Sequence, residues 1–148
     1  KRQEIVKMTN EYYSDVYELW LSCRGMGLNN LDDSEQGINK FLQRNPDTCF
    51  VALQDEKVVG VIMAGSDGRR GYIYHTAVNP LYRKRGIATA LVETVMQAMK
   101  NIGINKVALV VFEHNEGGNK FWERLGFTER NDLVYRNKAI NEMIRNDT

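Results

Sequence analysis

The chain has 148 residues and carries 20 Lys and Arg against 19 Asp and Glu, a net charge of +1 that argues against the broad basic surface of a nucleic-acid-binding domain. Apolar residues make up 43% and charged residues 26%, the composition of an ordinary globular protein, and the length suits one domain over 1–148. Cys23, Cys49, His75 and His114 are too few and too scattered for a disulfide framework or a metal cage. No apolar run nears the roughly 20 residues needed to cross a bilayer. No signal-peptide core opens the chain, so a reducing cytoplasm is the expected compartment.

Ile5–Met8 reads as a short first strand. Asn10 suits the N-cap of a helix over Glu11–Ser22, with Val16, Leu19 and Trp20 on one face and Gly25 and Gly27 beyond its end. Residues 28–35 are polar and include Asp32, Asp33 and Glu35. A second helix over about 34–44 stops before Pro46. Cys49–Leu53 and Val58–Ala64 are β-rich runs joined by Asp55-Glu56-Lys57, and Tyr72–Val78 continues the meander after a second turn. Ala88, Leu91, Val92, Val95, Met99 and Ile102 then recur at three- and four-residue spacing, the longest helical pattern of the chain, closed by Gly103. Lys106–Phe112 predicts an apolar strand, Gly118–Leu125 a helix closed by Gly126, and Thr128–Arg130 with Leu133–Asn137 two terminal strands. The strand–helix–strand unit 72–112 predicts a parallel crossover among antiparallel hairpins, hence a mixed sheet with helices on both faces.

The stretch Arg83-Lys84-Arg85-Gly86-Ile87-Ala88-Thr89 places three cations where that long helix begins. The first amides of a helix have no intrahelical partner, and the helix dipole adds about half a positive charge there. Cations at such a site are unfavourable by several tenths of a kcal/mol each, so three together call for an external anion or full solvation. Gly86 lets the backbone approach a bulky anion and Ala88 keeps the next contact small. Neither G-x-x-x-x-G-K-[ST] nor G-x-G-x-x-G is present, which excludes a Walker A loop and a dinucleotide fingerprint.

Arg83-x-x-Gly86-x-Ala88 resembles the Q/R-x-x-G-x-G/A signature of the GNAT N-acetyltransferase superfamily, which binds the acetyl-CoA pyrophosphate at this loop. Thr76-Ala77-Val78-Asn79-Pro80 is similar to the strand that leads into it. Asn115-x-x-x-Asn119-x-Phe121-Trp122-x-x-Leu125-Gly126-Phe127 is similar to the family's N-x-x-A-x-x-F-Y-x-x-L-G-F segment. The three matches stand in order, and residues 5–137 follow the family's element order. The resemblance is to small bacterial single-domain members, among them the ribosomal-protein N-terminal acetyltransferases.

The resemblance implies an α/β (α+β) GNAT fold: a mixed, mostly antiparallel sheet of six to seven strands with splayed central parallel strands. It implies transfer of acetyl from acetyl-CoA to a primary amine by direct attack in a ternary complex. A non-catalytic acyl-CoA-binding module is the rival reading. Arg83, Lys84, Arg85, Gly86, Ile87, Ala88 and Thr89 would hold the pyrophosphate, and Ala77 or Val78 would offer a backbone amide to the thioester carbonyl. Asn115, Asn119 and Trp122 would line the CoA arm; the plainer reading of the two Asn is loop and helix-cap duty. No metal is implied. The partners expected are acetyl-CoA and an amine acceptor, with no nucleic acid or membrane and with room for a homodimer.

Many members place a general-acid Tyr where this chain has Trp122, and an indole N–H is no useful proton donor at neutral pH. Tyr135 is the substitute the terminal strand offers, with core packing as its plainer role. Neither Tyr72–Val78 nor Val107–Phe112 carries an acid, which leaves His75 as the titratable side chain nearest the expected acetyl group. Its alternative is a hydrogen-bonded core histidine. Strict alternation would set His75, Ala77 and Asn79 on one face and Tyr74, Thr76 and Val78 on the other. The acidic residues of the first interhelical connection would attract a cationic amine or simply form a solvated loop.

Overall fold

The computed structural model describes residues 3–147. In chain order it contains β1 (Gln3–Lys7), α1 (Tyr13–Leu21), α2 (Glu35–Arg44), β2 (Phe50–Gln54), β3 (Lys57–Ser66), β4 (Gly71–Val78), α3 (Ile87–Asn101), β5 (Val107–Ala108) and α4 (Glu116–Arg124), with 3-10 turns at Asn10–Tyr12 and Pro80–Tyr82. One sheet runs in the order β1-β2-β3-β4-β5. Its first three pairings are antiparallel and β4 with β5 is parallel.

The two faces of the sheet bury separate cores. Val51, Leu53, Val61, Met63 and Ala77 pack with Val16, Leu19 and Trp20 of α1 and Ile38 and Leu42 of α2. Phe50, Ala52, Ile62, Ala64, Ile73 and Val78 pack with Ile87, Leu91, Val92, Val95 and Met99 of α3. Helices therefore cover both faces, and α3 lies on the side opposite α1 and α2. Close approach at Gly60 seats α3: a Cβ there would stand 3.1 Å from both Ile87 Cγ2 and Leu91 Cδ1.

The described residues form five strands where six to seven were expected. Lys106–Phe112 narrows to Val107–Ala108, because β4 turns away and leaves the rest of the run without a ladder partner. Residues 128–137 run exposed and make no strand. Asn10 is not a cap either. It opens the 3-10 turn and donates through Nδ2 to Glu35 Oε2 at 3.1 Å, so α1 begins only at Tyr13.

Strict alternation fails in β4. Ile62 faces Thr76 and Ala64 faces Ile73, so Tyr74 and His75 together oppose the single residue Met63. This bulge turns both side chains toward the same helices. Tyr74 meets the Phe41 ring of α2 at 5.5 Å between centroids, and His75 meets Trp20 of α1 at 4.9 Å. His75 and Ala77 share a face as expected; Tyr74 joins them.

The start of α2 is anchored to the connection before it. Ser34 Oγ accepts the Gly37 amide at 3.0 Å, and a Cβ on Gly37 would fall on the main-chain oxygens of Leu31 and Asp32. Helix propensity alone favours Gly37→Ala by about 1 kcal/mol. Collision with unyielding backbone outweighs it, so G37A is expected to lower stability by about 1–3 kcal/mol. A urea midpoint at or above that of the native protein would contradict this.

Candidate active site

The β4–β5 pairing has two registered rungs, Gly71↔Val107 and Tyr72↔Ala108. Beyond them β4 runs on to Val78, whereas the chain after Ala108 leaves the sheet with Val110 and Phe112 exposed. The outer edge of β4 is thus without a ladder partner from Tyr74 to Val78. Its phase follows from one bond: Asn79 donates its amide to Val59 O at 2.8 Å. Strand amides alternate sides, so Ala77 also faces β3 while Thr76 and Val78 present theirs to the open edge. Of the two residues first considered for the carbonyl, Val78 has this orientation and Ala77 does not. Thr76 has it too and was missed, since the motif gives no strand phase.

At the end of that edge the chain enters α3. Lys84 has φ 62° and Gly86 φ 79°, both left-handed, which costs a non-glycine residue about 1 kcal/mol or more. The first intrahelical bond of the helix runs from Ala90 to Gly86 O at 3.0 Å. The amides of Ile87, Ala88 and Thr89 precede it and are available to an anion. A Cβ at Gly86 would meet nothing within 4 Å, so the loop fronts open space.

The three cations divide their duties. Arg83 donates through Nε to Val78 O at 3.2 Å and through Nη2 to Cys23 Sγ at 3.5 Å, which ties the loop to β4 and to the end of α1. Arg85 lies 4.9 Å over the Tyr82 ring and reaches Leu81 O at 3.5 Å. Among the described residues, the Lys84 ammonium has no hydrogen-bonding or ion-pair partner. Most of the apparent basic patch is therefore committed to holding the loop's shape.

On the α1–α2 face, His75 Nε2 stands 2.8 Å from Asp33 Oδ1. Asp33 is only 4% exposed and so is not a solvated loop residue, whereas Asp32 and Glu35 of the same segment are exposed. Its Oδ2 accepts the Asn29 amide at 2.9 Å and its main-chain oxygen accepts the Tyr13 hydroxyl at 2.7 Å. Sequence reasoning missed Asp33 because its 42-residue separation from His75 leaves no local signal. Burial first, then Tyr17, Asp33 and Glu35, pushes the Tyr13 phenol above its ordinary range.

The same connection is held from a second direction. Asp147 accepts the Gly27 and Leu28 amides at 3.1 and 2.9 Å, and Asn30 donates its amide to Ile144 O at 2.9 Å. Burial opposes ionisation of Asp147, but its bonds to Arg145, Leu28 and Gly27 hold the carboxyl below the usual range.

The remaining candidates fall elsewhere. Asn115 Oδ1 caps α4 by accepting the Gly118 amide at 2.9 Å, and Asn119 Nδ2 donates to Phe112 O at 3.0 Å and Asn115 O at 2.8 Å. Both do the cap and loop duty that was their plainer reading. Trp122 sits edge-on between Phe121 and Phe127, against the α3 core. Tyr135 is 67% exposed and is not a core residue. Its phenol lies near Tyr72 and Tyr74, where the strands part. Burial pushes both phenols up, and Tyr135 is the next contributor in each.

The mixed sheet thus opens one strand edge toward the unpaired amides of α3, with the His75–Asp33 pair on the α1–α2 face. The Acetyltransferase (GNAT) family profile matches residues 13–127. An acetyltransferase of Photorhabdus laumondii is 35% identical over 139 residues, covering 93% of this chain and 96% of its own. The aminoglycoside enzyme AAC(6')-Iy, in complex with a bisubstrate analogue of CoA and acetylneamine, superposes at TM-score 0.74 with 22% identity, over 94% of this chain and 99% of that one. The ribosomal-protein-S18-alanine N-acetyltransferase of Escherichia coli also gives 0.74, with 19% identity over 87% and 79%. The chain belongs to the GNAT acetyltransferase family and is an acyl-CoA-dependent N-acetyltransferase. Among the described residues, no helix is long and apolar enough to cross a membrane.

The two thiols differ in a way that reports on the site. Burial pushes Cys49 up to about 12, whereas Cys23 is partly exposed beside Arg83 and Val78 O. Thiolate is the reactive form, so a disulfide reagent should modify one cysteine of the native protein and the second only on unfolding. Saturating acetyl-CoA should slow the first reaction. Equal reactivity of the two thiols in the native protein would contradict the geometry.

Proposed function

We propose that the open edge of β4, the amides opening α3 and the His75–Asp33 pair are the three parts of one acetyl-transfer site for a primary amine. The amides of Ile87, Ala88 and Thr89, with Lys84 beside them, take the diphosphate of acetyl-CoA. The pantetheine arm lies along β4 as an added strand would, pairing with the amides that β5 leaves free. The Val78 or Thr76 amide donates to the thioester carbonyl oxygen, where donors fixed in place stabilise developing negative charge. The continuity of this edge with the start of α3 carries the reading.

The amine enters from the face of α1 and α2, because α3 and its loop occupy the other. His75 takes the proton of the attacking amine, directly or through one water. The amine attacks the thioester carbonyl directly in a ternary complex, both substrates meeting at the edge of β4. The vacancy left by Trp122 matters little. A thiol of pKa about 8.5 departs as thiolate at pH 7 for about 2 kcal/mol. Tyr135 returns a proton to the departing sulfur, a reading supported by its influence on the Tyr72 and Tyr74 phenols. The acceptor is a protein N-terminus, a peptide or a small amine.

Replacing His75 with Gln should cut turnover roughly 100-fold and abolish the acidic limb of the pH–rate profile, while leaving the KM for acetyl-CoA unchanged. Wild-type kinetics in H75Q would remove His75 from the mechanism. Gly86→Glu places a carboxylate in the anion site on a left-handed residue. Calorimetry should detect no acetyl-CoA binding to a protein whose circular dichroism is native, and undiminished binding would displace the pyrophosphate site from this loop.

A further inference from the structure

The Asp33 carboxylate is buried and both of its oxygens are engaged. Oδ2 receives the Asn29 amide at 2.9 Å, a backbone donor that cannot relocate its hydrogen. Oδ1 faces His75 Nε2 at 2.8 Å, and an imidazole can carry its proton on either nitrogen. Trp20 abuts the imidazole edge-on, at 4.9 Å and 74°, which limits rotation of the ring. No other group among the described residues bonds to the imidazole, and its Nδ1 is not among the buried unpaired atoms. Nδ1 is therefore open to solvent or substrate.

We propose that Asp33 is a positioning residue for the transfer reaction: it keeps the proton of neutral His75 on Nε2, so that the lone pair on Nδ1 is the one that receives the proton of the amine. This rests on the reading of His75 as proton acceptor. The chemistry is that of any buried carboxylate that orients a general-base histidine through its far nitrogen. The amine N–H bond breaks as the C–N bond forms, the proton passes to Nδ1, and the electron pair of the C–S bond leaves with sulfur. Asp33 gains no proton in the step. Other titratable groups lie on the elements packed here without bonding to the ring: Tyr13, whose hydroxyl donates to Asp33 O, Tyr17 against Trp20, Glu35 at the start of α2, Asp32 next to Asp33, and Tyr74 next to His75 on β4.

Asp33→Asn separates this role from simple packing. The carboxamide has one acceptor, and the Asn29 amide can only be satisfied by it. The NH2 then faces His75 Nε2, and the imidazole relieves the clash of donors by moving its proton to Nδ1. The base is lost without any change in volume.

The direct measurement is the 15N spectrum of the imidazole in the full chain, at a pH where histidine is neutral. The expected result is the Nε2–H tautomer in the native protein and Nδ1–H in D33N. Turnover should fall roughly 100-fold in D33N with the KM for acetyl-CoA unchanged, and D33N/H75Q should be no slower than H75Q alone. A native spectrum showing Nδ1–H overturns the proposal and needs no variant to fold. An unchanged tautomer in folded D33N also overturns it. If the tautomer switches while H75Q keeps native turnover, Asp33 does orient the ring and it is His75 as base that falls.

Discussion

The parting of β4 from β5 is the constraint on which the rest of the molecule depends. Two registered rungs join the strands, and past Ile73 β4 has no ladder partner on its outer side among the described residues. An unpaired strand edge is ordinarily a liability that invites another chain. Here it sits between two elements that restrict what can reach it. At one end the chain turns into α3, whose first amides are unpaired and positively polarised. On the α1–α2 face, His75 and Tyr74 stand together because a bulge inserts one extra residue at that point. An extended ligand with an anionic terminus and a reactive carbonyl satisfies these demands together.

The loop before α3 shows how charge and backbone share the work. Three consecutive cations suggest a strong electrostatic cradle, yet Arg83 and Arg85 spend their donors on Val78 O, Cys23 Sγ, Leu81 O and the Tyr82 ring. These contacts hold Lys84 and Gly86 in left-handed conformations, which Gly86 adopts freely and which at Lys84 are local strain that surrounding structure must offset. The amides that result are fixed in direction. Preorganised donors lose nothing to reorganisation when an anion arrives, whereas three mobile side chains would lose conformational entropy.

The α1–α2 connection is irregular and is nevertheless held tightly. Asp33 anchors it to β4 through His75, and Asp147 anchors it to the C-terminal segment through Gly27 and Leu28. Both carboxylates are buried and both accept backbone amides, the arrangement that makes a buried charge tolerable. The last described residues, 144–147, consequently lie against the α1–α2 connection, after an exposed stretch where a pair of sheet strands had been expected.

Much of this was legible in the residues. Apolar spacing located α3 and its buried face from Leu91 to Met99, and Arg83-x-x-Gly86-x-Ala88 marked the loop, because periodicity and backbone-permissive residues act over a few positions. The count of terminal strands was not legible, since a run such as Leu133–Asn137 becomes a strand only if a neighbour offers it a ladder. Alternation in β4 misplaced Tyr74 because a bulge depends on the register against β3. Asp33 was invisible as a partner of His75, for nothing local links them. What the sequence determined by itself was the character of short segments: which helix forms, where the loop of cations and glycine precedes it, which family the chain resembles. Tertiary structure alone decided the strand phase that turns the Thr76 and Val78 amides outward and the burial that gives His75 its carboxylate, because both depend on contacts between residues far apart in the chain.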